Sequence, residues 1–418
     1  MRRDHARVEA RSAGQLIHAA MRTAAVLLWV IAIGAMAPHA ALAQTAPTQA
    51  SAPARAQACD PPAARDDGWK IATPETVGLD PATLCALVPR FTAWTQADVH
   101  AVLVARHGAL VFEHYFQGSD ETWGKPLGLV DFSPDTKHDL RSITKSVTSL
   151  LLGIAIDRGW VPGVDTPVLS LLPAYADLHS PEKDRITLRH LLTMSAGLQW
   201  DENIPYTNPA NSEILMDYAP DPYRFVLTRP VETPPGALWN YSGGGAALIS
   251  AVLHQATGKT EDVLAQELLF DPLGIHDVEW VRYPANHEPA AASGLRMLPR
   301  SLIKLGQLVL NRGAWDGKQI VSPAWIDASI TPQIQGPQLY FYGYQWWLGR
   351  SLVNQHQVDW AVGYGLGGQR LFVLPQLDMV VLVMAGLYHS DTQSVGPLVA
   401  LNRFALAAVR PEAGTVKP

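Results

Sequence analysis

The arrangement of strand-type and helix-type segments along the chain restricts its fold more than any other feature. Residues 99–118 hold two short apolar runs around Arg106-His107-Gly108, a hairpin signal, and residues 342–348, 369–374 and 378–385 read as further strands near the other end. Between residue 161 and about residue 333 helical periodicity recurs in pieces broken by Pro and Gly, as in 186–194, 244–257 and 260–269. A final helix is expected over about 394–409. Strands at both ends with helices between them imply an α/β chain: a sheet domain built from residues 71–160 and 334–418, interrupted by a helical insert over 161–333. No period of 20–50 residues repeats, so solenoids and propellers are excluded.

The N-terminus reads as an address. Residues 24–37 form one apolar run behind Arg22 and ahead of Ala41-Leu42-Ala43, the order of a secretory signal peptide over 1–43 cut after Ala43. The run is shorter than the roughly 20 residues a bilayer span needs, so no stable membrane anchor is expected after cleavage. Met21 offers a second plausible start beside Met1. Residues 44–70 are rich in Ala, Pro and Gln at first and read as a flexible linker. Export to the periplasm or the medium makes Cys59 and Cys85, the chain's two cysteines, a disulfide candidate. The formal net charge is -6 over 418 residues, with Lys and Arg dispersed rather than gathered on a face, which argues against nucleic acid as a partner.

Several catalytic motifs are absent: His-Glu-x-x-His, the phosphate loop and the Gly-x-Ser-x-Gly elbow. Gly363, Gly365 and Gly368 spell G-x-G-x-x-G, but a strand follows them where a dinucleotide site needs a helix. No cofactor is implied. His107, His114, His190 and His254 show no ligand spacing, so no metal is implied either. Ser-x-x-Lys occurs at Ser142/Lys145, Ser180/Lys183 and Ser301/Lys304, and context separates the three. The second lies in a polar turn, and the third on an amphipathic helix where Lys304 is expected at the surface. Ser142/Lys145 opens a helix that is apolar almost all round and therefore buried. Both side chains share one helical face. Burial and the positive helix N-terminus are expected to favour neutral Lys145, a base near neutral pH. Tyr241-Ser242-Gly243 stands in a loop before a second helix, where Tyr241 can carry protons between nucleophile and leaving group. Gly365-Leu366-Gly367-Gly368-Gln369-Arg370 heads a strand, where glycines let a substrate approach backbone N–H groups. Trp200, Tyr206, Tyr218 and Tyr223 are candidates to roof an acyl pocket, with core packing the stronger expectation for any one of them, and one ring of Trp346-Trp347 should face the core.

Ser142-x-x-Lys145, Tyr241-Ser242-Gly243 and the Gly-x-Gly-Gly-Gln segment, in that order, resemble the serine hydrolases related to class C β-lactamases, a group that includes penicillin-binding-type peptidases, β-lactamase-type esterases and 6-aminohexanoate-dimer hydrolase. Residues 186–198 and 268–275 are similar to that family's helical domain, and the resemblance runs over about residues 71–410. It implies a β-lactamase/transpeptidase-like fold, an antiparallel sheet flanked by helices with an inserted, mainly helical domain. It also implies Ser142 as the acylated nucleophile, Lys145 as its base and Tyr241 as proton relay. The oxyanion would be held by the Ser142 N–H and an N–H near Gly368 or Gln369, for a small ester or amide substrate. Two departures matter. Gly243 stands where true β-lactamases have a substrate-holding Asn, and Leu366 stands where they carry a cation for the substrate carboxylate; Arg370 is a possible substitute for that cation. The pattern therefore looks more like the esterase and amidase branch. A β-lactamase or D-Ala-D-Ala-type peptidase is the alternative within the family, and a non-catalytic cell-wall or ligand-binding module is the alternative outside enzymes.

Overall fold

The computed structural model describes residues 59–410 apart from Asn354. The signal-type segment and residues 44–58 of the expected linker lie outside the described residues. Nine strands form one sheet: β1 (Lys70–Ile71), β2 (Val99–Arg106), β3 (Ala109–Tyr115), β4 (Ile334–Gln335), β5 (Phe341–Tyr342), β6 (Trp347–Val353), β7 (His356–Gly365), β8 (Gln369–Leu374) and β9 (Met379–Ala385). Their order is β1-β3-β2-β9-β8-β7-β6-β5-β4, so strands from the two ends of the chain meet where β2 pairs with β9. All pairs are antiparallel except β1 with β3, which makes the sheet mixed rather than purely antiparallel. The two-residue β1 arrives at the edge without a hairpin, so no tight turn forces it to run against its neighbour.

β2 and β9 are buried along their whole length, which explains why VHAVLVAR and MVVLVMA read as near-continuous apolar runs. Their side chains alternate between two cores. Leu103, Leu371, Val380 and Leu382 pack toward the helices of the middle region. Val104, Phe372, Val381 and Val383 pack with Leu84, Leu87 and Leu401 from the terminal helical segments on the other face. The helices that matter for the site are α1 (Thr144–Asp157), α2 (Ser212–Asp217), α3 (Gly243–Thr257), α4 (Glu261–Ala265), α5 (Pro299–Leu310) and α6 (Val395–Val399). α1 is buried from Thr144 to Ala155, as its apolar circumference requires. Cys59 and Cys85 form a disulfide with Cα atoms 5.4 Å apart.

Three local expectations change. The run 342–348 is not one strand: β5 ends at Tyr342 and β6 begins at Trp347. Between them Gly343 passes so close to Ser329 that a Cβ would fall 1.9 Å from its carbonyl oxygen, and Gln345 takes a left-handed φ of 63°. Gln345 is buried there and donates to Leu191 O at 3.0 Å, while its own carbonyl accepts from Ser146 Oγ at 2.8 Å. The terminal helix is α6 followed by a more loosely wound π-helical stretch, Ala400–Ala405. Lys304 on α5 is buried, not at the surface. Its ammonium donates to Leu273 O at 2.8 Å and Gly274 O at 3.3 Å. Those carbonyls end a short helical turn closed by left-handed Gly274, and helix-terminal carbonyls need donors from elsewhere.

Candidate active site

Ser142 lies in a single 3-10 turn, Arg141–Ile143, that feeds directly into α1. Arg141 holds a left-handed φ of 50°, unusual for a side chain with a Cβ. Its guanidinium is fixed by Glu121 at 2.6 Å and lies 4.9 Å from the Tyr388 ring centre. Three residues beyond Ser142, on the same face, Lys145 Nζ donates to Ser142 Oγ at 3.0 Å and to Ala292 O at 3.0 Å. Tyr241 arrives from the loop ahead of α3, held by Asn240 N–H to Met194 O at 2.7 Å and Asn240 Nδ2 to Trp200 O at 3.0 Å. Its ring centre lies 5.0 Å from Lys145 Nζ, and its hydroxyl interacts with Ser142 and Lys145. The three residues singled out from the sequence therefore meet at one point.

The electrostatics differ from the sequence expectation. Burial opposes a charge on Lys145, and the strongest effect against burial is attraction to Glu213, whose Oε2 is 3.7 Å away. The lysine pKa is raised, so the resting side chain is ammonium rather than neutral amine. Burial pushes the Tyr241 hydroxyl up, with Lys145 pulling the other way, and it rests protonated. Sequence showed the burial of Lys145; it did not show the carboxylate that α2 brings.

The glycine-rich segment is placed less simply. Gly363 and Gly365 at the end of β7 touch the nucleophile turn: a Cβ on Gly365 would fall 2.3 Å from Leu140 O, and one on Gly363 would fall 3.2 Å from Ile143 Cγ2. Gly368, with a φ of 106°, instead faces Ala385, Gln393 and Pro397. The Gln369 side chain is fully buried, bonded to Leu366 O, Ala385 O and the Ala385 N–H. It stitches β8 to β9. Arg370, the possible carboxylate cation, donates to Gly365 O, Gln369 O and Ser394 Oγ, each at 2.8 Å, and stacks on Tyr364. Burial lowers its pKa to about 10. Its hydrogen bonds brace the turn instead of facing the nucleophile. The close approach at Gly365 carries a prediction: Gly365→Ala should cost about 1–3 kcal/mol in thermal or urea unfolding and slow the reaction of Ser142, because a backbone carbonyl cannot yield as a side chain would.

The aromatic expectations divide. Trp346, just ahead of β6, is buried, and Trp347, the first residue of β6, packs near Tyr241 with ring centres 5.8 Å apart and near Trp239 at 5.3 Å. Tyr218 is largely exposed, and Tyr223 is buried in the core. Trp200 Nε1 and the Tyr206 hydroxyl both donate to Glu202 instead of lining a roof. Among the histidines, His107 meets Asp378 at 2.9 Å, His254 meets Glu288 at 3.0 Å, and His190 closes a capping box with Thr187. His100, His138 and Asp120, which the sequence did not bring together, form a buried cluster. There His100 Nδ1 lies 2.8 Å from His138 Nε2, and Tyr388 donates to Asp120 at 2.9 Å. Burial takes the His138 pKa down to about 4, so that ring stays neutral. Glu202 and Glu213 were also missed. The one sequence signal for them is the bare Gly243, which leaves room that another side chain must fill.

The chain is 22% identical over 315 residues to 6-aminohexanoate-dimer hydrolase of Paenarthrobacter ureafaciens, covering 70% of this chain and 74% of that one. It is 27% identical over 220 residues to esterase EstB of Burkholderia gladioli, covering 50% of this chain and 54% of the esterase. Among solved structures it is similar to EstCE1, a hydrolase with promiscuous acyltransferase activity, with a TM-score of 0.59 at 17% identity over 78% of this chain and 99% of that one. The model of the beta-lactamase family matches residues 91–401, and the chain belongs to that family as a serine hydrolase with a β-lactamase/transpeptidase-like fold.

Proposed function

We propose that the protein is an exported serine hydrolase that cleaves ester or amide bonds of a small substrate through an acyl-enzyme on Ser142. The observation that carries this reading is the 3.0 Å hydrogen bond from Lys145 Nζ to Ser142 Oγ, with the Tyr241 ring centre 5.0 Å from the same Nζ, an activated-nucleophile arrangement. In acylation Ser142 Oγ attacks the carbonyl carbon while its proton passes to Lys145 in the amine form. Tyr241 hands a proton to the leaving oxygen or nitrogen as that bond breaks. Water then attacks the acyl carbon and gives its proton back to Tyr241, and the bond to Oγ breaks as Lys145 returns its proton to Oγ, releasing the acid. The Ser142 N–H and an N–H of the glycine-rich segment hold the oxyanion. Because the resting lysine is ammonium, the reactive form is the minority that has lost its proton, and the acylation rate should rise with pH.

Esters and amides without a carboxylate beside the scissile bond suit this cleft better than penicillins. Gly243 offers no side-chain amide, Leu366 offers no charge, and Arg370 is engaged with two carbonyls and Ser394. The signal-type N-terminus and the Cys59–Cys85 disulfide support export, since disulfides persist in oxidising compartments. The test is intact mass before and after a fluorophosphonate. A single adduct mapping to Ser142 is expected, and the untreated mass should report a cut after Ala43 and two protons missing for the disulfide. An adduct elsewhere, or none on folded protein, would overturn the acyl-enzyme reading.

A further inference from the structure

We propose that Glu213 is the counter-ion of Lys145, a positioning residue that occupies the space left by Gly243 and stabilises the ammonium formed when Lys145 takes the Ser142 proton. The inference rests on the Ser142–Lys145 reading above and assigns a residue from a different part of the chain to it. A Cβ on Gly243 would fall 2.6 Å from Glu213 Oε2 and 2.9 Å from its Cδ, so the carboxylate can stand there only because residue 243 has no side chain. From that position Oε2 faces Lys145 Nζ at 3.7 Å and is otherwise without a hydrogen-bond partner among the described residues. The other oxygen accepts from Ser293 Oγ at 2.8 Å, next to Ala292, whose carbonyl holds the same lysine. α2 begins at Ser212 with Asn211 capping it, its side chain accepting from the Glu213 N–H at 2.9 Å, so the glutamate is fixed at the base as well as the tip.

The surroundings leave one negative charge for the lysine. Glu202 lies against Glu213 and is pushed well above the usual carboxylate range, by burial first and by Glu213 second. Asp217, one turn along α2, is pushed up in the same way. Burial also raises Glu213, but Lys145 reverses that and holds it ionised. Tyr206, Tyr241 and Tyr283 face the pair as neutral hydroxyls, and Arg141 adds a weaker positive field. The proton count is simple: the Oγ–H bond of Ser142 breaks, an N–H bond on Lys145 forms, and Glu213 stays a carboxylate throughout. A carboxylate beside a base that becomes cationic strengthens that base, the role the acid plays behind the histidine of a Ser-His-Asp triad.

The test is the pH dependence of the second-order rate of Ser142 phosphonylation by a fluorophosphonate, whose fluoride leaves without needing a proton and so isolates the base. In Glu213→Gln the limb that rises with pH should move toward acid by about 1–3 pH units, the effect of removing an opposite charge at this range, and the plateau should fall because the amine is a weaker base. Glu213→Asp should lie between. Gly243→Ala, whose methyl would displace the carboxylate without removing it, should shift the limb the same way and serves if Glu213→Gln does not fold. Wild type that labels at Ser142 while the variants keep its pH limb would overturn the role of Glu213. Wild type that does not label would overturn the acyl-enzyme reading instead.

Discussion

Hydrolysis of an aryl ester such as p-nitrophenyl acetate is expected to fall by roughly ten-thousand-fold or more in Ser142→Ala, with little change in KM. The substitution removes one oxygen from a partly exposed position at the head of α1, so the fold should survive, and an unchanged thermal melt would show it. Lys145→Met should cause a loss of similar order, because a base with no hydroxyl to deprotonate and a hydroxyl with no base fail at the same step. The Ser142→Ala/Lys145→Met double variant should then be scarcely worse than either single one, since groups that act as a unit are strongly non-additive. Turnover that survives Ser142→Ala would mean that the 3.0 Å contact between Lys145 and Ser142 is only a buried lysine finding an acceptor.

Ser142, Lys145 and Tyr241 could be found in the sequence because each sits in a short local pattern whose geometry a helix start or a tight loop dictates. A three-residue spacing at the head of an apolar helix places two side chains on one face whatever the rest of the chain does. Glu213 and Glu202 could not be found that way. They reach Lys145 through tertiary packing from α2 and the loop before it, and nothing between residues 200 and 213 fixes that approach. The sign of the Lys145 shift is not legible in the sequence for the same reason: burial is visible in an apolar helix, whereas a counter-charge from a distant segment is not. Lys304 failed differently. A hydrophobicity pattern counts lysine as a surface residue, yet this one has a helix-end carbonyl pair to satisfy, and the Asp271-Pro272-Leu273-Gly274 turn that supplies it was the available clue. The sheet was legible because β2 and β9 are apolar enough to be strands in almost any context. The break at residues 343–346 was not, because it follows from a contact with Ser329 rather than from local propensity.

Protein stability is expected to decline between pH 4.5 and 8 by about 3 kcal/mol through Glu261 alone, and Glu261→Gln should remove that decline. Glu261 opens α4 and is fully buried where α1, α3 and α4 meet. Burial raises its pKa from 4.5 to about 7, although Thr148 Oγ donates to Oε1 at 2.6 Å and pulls the other way. The sign follows from proton binding. Between pH 4.5 and 7 the folded chain keeps a proton that the unfolded chain releases, so the contribution is complete below pH 4.5 and is lost as pH rises through 7. Glutamine keeps an oxygen for Thr148 and never has to ionise in the core. Urea unfolding of the oxidised protein at pH 5 and pH 8 should therefore show the variant gaining on wild type at pH 8 by most of the 3 kcal/mol, with near parity at the acid end. Parallel slopes would mean that water reaches the carboxyl and that burial does not govern it. The consequence reaches the active site, because Thr148 stands three residues beyond Lys145 on α1. A charge forced on Glu261 strains the same helix that carries Ser142 and Lys145. If the acylation rate climbs with pH as the ammonium state of Lys145 requires, then reactivity rises over a range in which this junction loses stability, and Glu261→Gln should widen the alkaline window in which the enzyme stays folded while leaving the pH limb of Ser142 where it was.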